Sequence, residues 1–327
     1  RRRQVQAVAA DGDYFTIKKY NMTNGRVFTQ QEAEMGARVV VIGTEVAEHF
    51  FPDLDPVGRE LKIRYKNSFL GLVGSLINPL VTVLVLTVVF KYLVGTTQTP
   101  NFSAYILAAY LPYMFFQFAL MDSAQSVITY LPLVRKIYFP REILPLAIIV
   151  SNFVHFLLAL VVFFAYLLVV WAFNPAVSPF QVTVLWLPLL ILVNLCLVTG
   201  LGLMFSALNT FFEDVKYLLG VGLYLLFFLS PIMYFSEQIK YTTGISEPTR
   251  SLVYVLYHLN PVAMLSTAYR KVMVAPQPVS VPGLDAPVAP LPLDWGLFAV
   301  TAAVSVAFLF VGYAVFNRLK WRFVERP

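Results

Sequence analysis

Side chains able to do catalytic chemistry are few in this sequence and widely separated. The three histidines, His49, His155 and His258, lie far apart, and the single cysteine, Cys196, lies within an apolar run. One cysteine excludes an intrachain disulfide and a cysteine-based metal cluster. The sequence also lacks a Gly-x-x-x-x-Gly-Lys-Ser/Thr phosphate-binding loop, a His-Glu-x-x-His pair and a serine nucleophile elbow. It therefore predicts no catalytic residue, no cofactor and no metal site, and the chain is not expected to be an enzyme.

The densest group of charged side chains lies between two long apolar runs. Residues 133–146 contain three cations and two prolines, whereas residues 92–121 and 143–212 contain no Asp, Glu, Lys or Arg. Basic loops of membrane proteins are retained on the cytoplasmic side. The loop therefore indicates topology, and it is also a candidate contact for a cytoplasmic motor. The residues predicted for that contact are Arg135, Lys136, Tyr138, Phe139, Pro140, Arg141 and Glu142.

The composition is that of a protein that crosses a membrane several times. Of the 327 residues, 58% are hydrophobic and 13% are charged, whereas soluble domains carry about 25% charged residues. Six apolar runs each approach the roughly 20 residues that cross a bilayer as a helix. An all-α membrane domain with six spans is therefore predicted. The spans are about Phe69–Phe90, Tyr105–Ser123, 146–171, Val184–Leu208, Tyr217–Phe235 and Trp295–Phe316.

The cations set the predicted orientation of these spans. Arg64 and Lys66, the loop at 133–146, a second loop and the tail from Arg318 all fall on one side when six spans alternate. The residues of that second cytoplasmic loop are Glu213, Asp214 and Lys216. Both ends of the membrane domain are then cytoplasmic. The net charge of +6 is explained by this excess of cytoplasmic Lys and Arg, so nucleic acid is not an expected partner.

The segment between the fifth and sixth spans is mixed in character. Ser251–Tyr257 and Pro261–Val272 are apolar but too short to span, which predicts short helices on the outer face. Pro276–Pro292 contains six prolines in 17 residues and predicts an extended external loop.

Aromatic side chains in the second and fifth spans are candidates for a channel wall. Aromatic faces suit the apolar C–H faces of sugars, and a tyrosine adds a polar tip. Alternatively, these rings pack against neighbouring helices or face lipid. The candidate residues are Tyr110, Tyr113, Phe116, Tyr224 and Phe227.

Two further polar side chains fall within the predicted spans. His155 is a functional candidate because ionisable residues in a bilayer are costly. We expect instead a neutral histidine that pairs with Asn152 or with a neighbouring helix. Asp122 lies near the cytoplasmic end of its span and is expected to be solvated.

The first 64 residues differ from the rest of the chain. They contain 10 Lys or Arg and 9 Asp or Glu, 19 of the 42 charged residues. A β-branched run at 38–43 predicts a buried strand, and Thr44 caps a predicted helix. The sequence thus predicts a small soluble α/β domain at 1–63 before a membrane domain at 64–327. We expect it to be a fusion or assembly remnant, with a working accessory domain as the alternative.

Six segments, in order, resemble the permeases of type-2 ABC exporters, in the polysaccharide-exporting branch. They are Arg64–Gly71, Asn78–Leu80, Leu133–Leu146, Ala207–Tyr217, Ser230–Tyr234 and Leu259–Arg270. The most distinctive is the third, with its Arg-Lys-x-Tyr-Phe-Pro-Arg-Glu-x-Leu-Pro core. The resemblance covers about residues 64–327. Glu213 departs from it where the family often has Arg, and the amphipathic helix that normally precedes Arg64 is replaced by the soluble domain.

This resemblance implies a homodimer in the lipid of the bacterial cytoplasmic membrane. Two copies of a separate ATPase would bind ATP, with the loop at Arg135–Arg141 beside them. The implied substrate is O-antigen, capsule, teichoic acid or a related lipid-linked glycan. Residues 8–63 separately resemble part of the periplasmic core domain of macrolide-exporter-type ABC permeases. The alternatives are a type-2 ABC exporter of drugs or lipids, and a macrolide-exporter-like efflux component whose N-terminal domain binds a periplasmic adaptor.

Overall fold

A computed structural model describes residues 102–130, 140–173, 181–281, 283–284 and 286–324, together with Val81, Leu84, Val85 and Val88. The chain divides into two units at Leu72–Val73, and all of these residues belong to the second unit. The predicted soluble domain and most of the first predicted span lie outside the described residues. So do Arg135, Lys136, Tyr138 and Phe139 of the basic loop.

The described part of the chain is built from helices and contains no strand, only an isolated antiparallel bridge between Val279 and Val288. The α-helices are α1 (Phe102–Thr129), α2 (Ile143–Phe173), α3 (Leu187–Phe211), α4 (Val215–Leu229), α5 (Ser236–Lys240), α6 (Glu247–His258), α7 (Pro261–Met273) and α8 (Trp295–Leu319). A 3-10 helix, Val182–Trp186, precedes α3, and another, Lys320–Val324, continues α8.

Four of these helices are long and apolar enough to cross a membrane, namely α1, α2, α3 with its preceding 3-10 turn, and α8. α1 has 28 residues and α2 has 31, which at about 1.5 Å per residue exceed the roughly 30 Å of hydrocarbon in a bilayer. The second, third, fourth and sixth predicted spans are therefore confirmed as helices of spanning length.

The fifth predicted span is shorter than expected. It was predicted to reach Phe235, but α4 ends at Leu229 after 15 residues. Ser230 has an extended backbone, as a residue before proline prefers, and Pro231 cannot continue the helix with an N–H donor. The short helices expected before the last span are present as α6 and α7.

Side-chain contacts determine the direction of each long helix. Near the start of α1, the Ser103 hydroxyl lies 2.6 Å from that of Tyr166 in the last third of α2, so these helices are antiparallel. Near its end, Ser126 lies 3.0 Å from Ser206 of α3, so α1 and α3 are parallel. Met121 approaches Gly220 near the start of α4, which makes α4 antiparallel to α1.

α3 and α8 run in the same direction and pack closely. The rings of Trp186 and Trp295 lie 4.7 Å apart at their beginnings. A Cβ atom added to Gly200 would collide with the backbone of Phe308, and one on Gly312 would collide with the carbonyl of Gly200. The glycines therefore allow the two backbones to touch, as small residues do in membrane helix pairs.

These directions divide the charged loops between two ends of the bundle. α1, α3 and α8 finish at one end, where α2 and α4 begin. We call this the cationic end; it contains residues 140–142, 213–216 and 318–324. The opposite end carries α5, α6 and α7 and the proline-rich loop, and we call it the far end.

Candidate functional site

The described residues contain no group of three or more His, Cys, Asp or Glu side chains that could hold a metal ion. Their charged side chains instead form two clusters, one at each end of the bundle, with aromatic rings between them. The three regions are described in turn, beginning at the cationic end.

Glu142 and Lys320 join the beginning of α2 to the C-terminal segment. The Lys320 Nζ lies 3.3 Å from Oε1 and 3.4 Å from Oε2 of Glu142, and both side chains are largely shielded from solvent. The Arg141 guanidinium donates a hydrogen bond to the backbone carbonyl of Lys320. Pro140 is exposed and accepts from the backbone N–H of Ile143 in the first turn. We call the contact of Glu142 with Lys320 the Glu142–Lys320 bridge.

Aromatic packing lies behind this bridge. Phe323, in the C-terminal 3-10 helix, is fully buried and its ring lies 5.6 Å from Phe316 of α8. On its other side it lies 5.8 Å from Phe211, the last residue of α3. Leu146 of α2 packs against the same cluster. The C-terminal segment is thus packed against three long helices.

The second predicted cytoplasmic loop begins α4. Glu213 and Asp214 are exposed, and the Lys216 Nζ lies 4.8 Å above the ring of Tyr217. The backbone N–H of Lys216 donates to the Asn209 Oδ1 at 3.0 Å. The Asn209 side-chain amide in turn donates to the Ala124 carbonyl at 2.9 Å. Asn209 therefore holds the ends of α1 and α3 and the start of α4 together, a role that its position in the motif did not reveal.

Four of the five aromatic residues predicted for a channel wall come together between α1 and α4. The Tyr113 hydroxyl donates a hydrogen bond to the Leu223 carbonyl, and the centre of the Tyr113 ring lies 5.5 Å from that of Phe227. Phe227 also lies 6.1 Å from Tyr110, and Phe116 lies 6.4 Å from Tyr113. Tyr113 and Phe116 are buried within this chain. A role for the set in lining a channel stays a prediction.

Tyr224, the fifth of these residues, lies on an exposed apolar face of α4. It is 63% exposed, and its ring lies 5.2 Å from Phe228. The other large exposed side chains of this helix are Tyr217, Leu218, Val221, Leu225, Phe228 and Leu229. The face is thus continuous along α4 and is available to lipid or to another protein chain.

At the far end, a buried arginine ties α7 to two other parts of the chain. Arg270 is 5% exposed. Its Nη2 and Nη1 donate to the carbonyls of Ile232 at 2.8 Å and Tyr234 at 2.9 Å, after α4, and its Nε donates to that of Tyr105 in α1 at 3.2 Å. The guanidinium also lies 5.0 Å from the ring centre of Phe235. Burial lowers the pKa of Arg270 to about 10 and the Glu237 carboxylate opposes this, so the side chain stays charged near neutral pH.

Lys271, the next residue, faces the proline-rich loop. Its Nζ lies 3.2 Å from the Glu237 Oε1 and donates to the Leu291 carbonyl at 2.8 Å. Glu237 also accepts from the Leu291 N–H at 3.1 Å and from Ser236. Burial acts to raise the pKa of Glu237, but Lys271 and these donors outweigh it and hold the pKa below its ordinary value. We call Arg270, Lys271 and Glu237 the Arg270 cluster.

The Arg270 cluster was not among the site residues predicted from sequence. The only signal was Tyr269-Arg270-Lys271 at the end of a short apolar run, which does not reveal the partners. Those partners are 36 to 165 residues away along the chain for Arg270.

The expected pairing of His155 with Asn152 is not present. Asn152 instead donates to the Asp122 Oδ2 at 3.0 Å and to the Ile148 carbonyl at 3.1 Å. The His155 Nδ1 is buried and has no hydrogen-bond partner in the described part of the chain. Asp122 is exposed, as expected. Asn152 turns to Asp122 because a carboxylate is a stronger acceptor than a neutral imidazole.

Comparison with known proteins places these features in a family. A sequence model described as ABC-2 type transporter matches residues 57–274. Two proteins of Klebsiella pneumoniae named O-antigen export system permease protein RfbA are 28% and 27% identical, each over 82% of this chain and 91% of their own length. A protein of Myxococcus xanthus with the same name is 29% identical over 82% of this chain and 92% of its own length.

Proposed function

The chain belongs to the ABC-2 type transporter family, and we propose that it is the membrane permease subunit of an exporter that moves a polysaccharide or lipid-linked glycan out of the cell. The observation that carries this proposal is its similarity, over nine-tenths of their length, to three permeases named for O-antigen export. The long apolar helices agree with a protein that crosses the membrane several times.

The permease domain crosses the bacterial cytoplasmic membrane six times in this proposal, with both ends in the cytoplasm. Among the residues that the structure describes, the support is an excess of Lys and Arg at the cationic end over the four at the far end, which are Lys240, Arg250, Arg270 and Lys271. Arg141, Lys216, Arg318, Lys320 and Arg322 all lie at the cationic end, and excess Lys and Arg mark the cytoplasmic side. The far end, with α5 to α7, then faces outward.

Two copies of a separate ATPase supply the energy. This chain has no phosphate-binding loop, so ATP binds to the partner and the chain itself needs no cofactor. The loop from Arg135 to Glu142 couples the chain to the ATPase, with Arg135 and Lys136 at the contact itself, and the loop containing Glu213, Asp214 and Lys216 forms a second contact surface. Both loops have described residues at the cationic end, where a cytoplasmic motor can reach them together.

A second copy of this chain completes the transporter. The exposed apolar face of α4 supports this, because it carries large side chains exposed by half or more that a second copy would cover. The glycan passes between the two copies, in contact with Tyr224 and with the half-buried Tyr110 and Phe227, while the buried Tyr113 and Phe116 support these rings from within the chain.

Reversal of the loop cations tests the proposal. A strain lacking the gene is supplied with the chain carrying Arg135→Glu, Lys136→Glu and Arg141→Glu, and its surface polysaccharide is measured by immunoblotting of intact cells. We expect export to be abolished, while fractionation shows normal amounts in the membrane. The triple variant should also fail to retain the ATPase on purification. Unchanged export and ATPase association would contradict the proposed contact.

The choice of substrate has its own test. Tyr224→Ala is compared with Leu229→Ala, a substitution at another exposed position of the same helix that removes no aromatic ring. Loss of surface polysaccharide in the first variant alone is expected if the aromatic face contacts sugar. Equal loss in both would indicate that the helix contributes only apolar area, as a lipid exporter would require.

A further inference from the structure

Lys320 of the C-terminal segment makes two polar contacts with the beginning of α2. Lys320 is engaged at both its side chain and its backbone: Nζ pairs with Glu142, 3.3 Å from Oε1, and the carbonyl accepts from Arg141. Two consecutive residues at the end of the basic loop are therefore occupied by the chain's own C-terminal segment. They are 178 and 179 residues from Lys320 in sequence.

The other face of the same segment is packed into the bundle. Phe323 and Phe316 are both fully buried, and Phe211 closes the cluster from α3. Interiors packed in this way shift as units because no void is available to absorb a displacement. A movement of the backbone at Lys320 must therefore move the ends of α3 and α8.

Both side chains of the Glu142–Lys320 bridge are partly shielded from solvent. Glu142 is 24% exposed and Lys320 14% exposed, so their attraction is less screened than that of surface ion pairs. The Arg141 hydrogen bond comes from a charged donor, which makes it stronger than a neutral one. Together the two contacts fix the start of α2 relative to the C-terminal segment.

We propose that Lys320 is a positioning residue that, through Glu142 and Arg141, transmits displacement of the basic loop to the cytoplasmic ends of α3 and α8. This inference rests on the proposed function, because only a motor bound at the loop would displace it. Arg135 and Lys136 then contact the motor, whereas Glu142 acts within the permease. Lys320 lies outside the motor contact and matters only through this bridge.

Charge exchange tests the assignment. Glu142→Lys, Lys320→Glu and the double exchange are each produced together with the partner ATPase subunit. Surface polysaccharide is measured in cells, and ATP hydrolysis is measured on the purified complex in nanodiscs of bacterial lipid. We expect each single variant to lower export per ATP hydrolysed about fivefold, as the loss of one moderately strong contact would. The double variant should regain most of that loss.

Recovery of export in the double variant distinguishes a positioning role of Lys320 and Glu142 from direct contact with the motor. If Glu142 acted on the ATPase, a compensating charge at Lys320 would not restore export, and that result would overturn the proposal. Hydrolysis and export falling together, with less complex recovered, would mean that the bridge only stabilises the fold, which also overturns it. Lys320→Met and Glu142→Gln repeat the test without placing like charges together, in case the reversed variants fail to assemble.

An ion pair at the far end provides the matched control. Glu247 and Arg250 of α6 lie 2.6 Å apart, and exchange of their charges should leave export per ATP unchanged. A similar loss there would show that the readout follows any altered ion pair. An unaltered complex that hydrolyses ATP but exports no polysaccharide would contradict the proposed function itself. If the unaltered protein exports normally and the single variants have the same export per ATP hydrolysed, the proposed role of the Glu142–Lys320 bridge is contradicted but the proposed function is not.

Discussion

The two ends of the bundle hold their charges in different ways. At the far end, Arg270 is buried and gives its N–H groups to three backbone carbonyls. At the cationic end, Lys320 pairs with Glu142, whose side chain is partly open to water. A charge satisfied by backbone from several elements can be released only if those elements separate. A pair of partly exposed side chains can be exchanged for water at modest cost.

This difference assigns a mechanical role to each end. The Arg270 cluster joins α1, the segment after α4, α7 and the loop before α8 into one connected layer at the far end. The Glu142–Lys320 bridge connects two segments by one ion pair and one hydrogen bond, which suits a part of the molecule that a motor must move. The following experiments test this contrast, beginning with the largest expected effect.

Arg270→Met should be the most damaging substitution. It leaves three carbonyls without their charged donor in a buried site, and we expect the free energy of unfolding to fall by about 4 kcal/mol. Thermal unfolding in detergent, followed by intrinsic fluorescence, measures the loss. Arg250→Met is the matched control, because Arg250 pairs with an exposed glutamate, and it should cost less than about 1 kcal/mol. Equal losses would remove the contrast between Arg270, which three carbonyls surround, and Arg250, which is 20% exposed and donates to one carbonyl, that of Thr242.

Glu237→Gln should cost less, about 2 kcal/mol, because it removes the charge beside Lys271 but keeps an acceptor for the Leu291 N–H. The same unfolding assay is used. Full stability in this variant would show that the backbone contacts of Lys271 alone hold the proline-rich loop.

Acid should weaken the far end in a way that depends on Glu237. Its pKa is held below the ordinary value, so its stabilising contribution is present above about pH 4.3, the unfolded pKa, and is lost as pH falls through the lower folded pKa. The unaltered protein should therefore lose stability below about pH 4.3 more steeply than Glu237→Gln. Parallel pH profiles of the two proteins would contradict a lowered pKa.

Glu142→Gln is the same substitution at the cationic end and should cost about 1 kcal/mol in unfolding, less than Glu237→Gln, because Glu142 is 24% exposed and Glu237 5%. Export per ATP should nevertheless fall, since the bridge transmits movement rather than holding the fold together. A loss of stability as large as that of Glu237→Gln would show that the ion pairs at the two ends stabilise the fold equally.

Cysteine labelling should leave stability unchanged and show which end faces the cytoplasm. In a Cys196→Ser background, Arg318→Cys at the cationic end and Thr249→Cys at the far end are both at exposed positions. A membrane-impermeant maleimide should label Thr249→Cys in intact cells and Arg318→Cys only after permeabilisation. The opposite pattern would overturn the orientation.

Local sequence patterns predicted much of the membrane domain. Long uncharged runs predicted α1, α2, α3 and α8, because a helix that crosses lipid must be apolar over most of its length. The end of α4 was predicted less well. The apolar run continues to Phe235, but the helix ends before Pro231. Hydropathy therefore overestimated the length of α4, because it does not account for the effect of proline on the backbone.

The candidate site was predicted only in part. The charges at Arg141 and Glu142 were correctly expected in a loop at the beginning of a span, but nothing near them in sequence indicates Lys320. The partners of Asn209 were also not predicted. A polar side chain inside an apolar motif needs hydrogen-bond partners, but the sequence does not indicate which residues provide them. Asn152 was expected beside His155, and the carboxylate of Asp122 on another helix competed successfully for it.

The sequence by itself determined the class of protein, the positions of most spans and the collection of cations into a few loops. These follow from hydropathy and charge, which act over neighbouring residues and need no knowledge of contacts. Only the tertiary structure decided which aromatic rings are buried, that Arg270 joins three parts of the far end, and that Glu142 and Arg141 bind Lys320. Those contacts join residues from 36 to 179 positions apart, and packing of the helices is what brings them together.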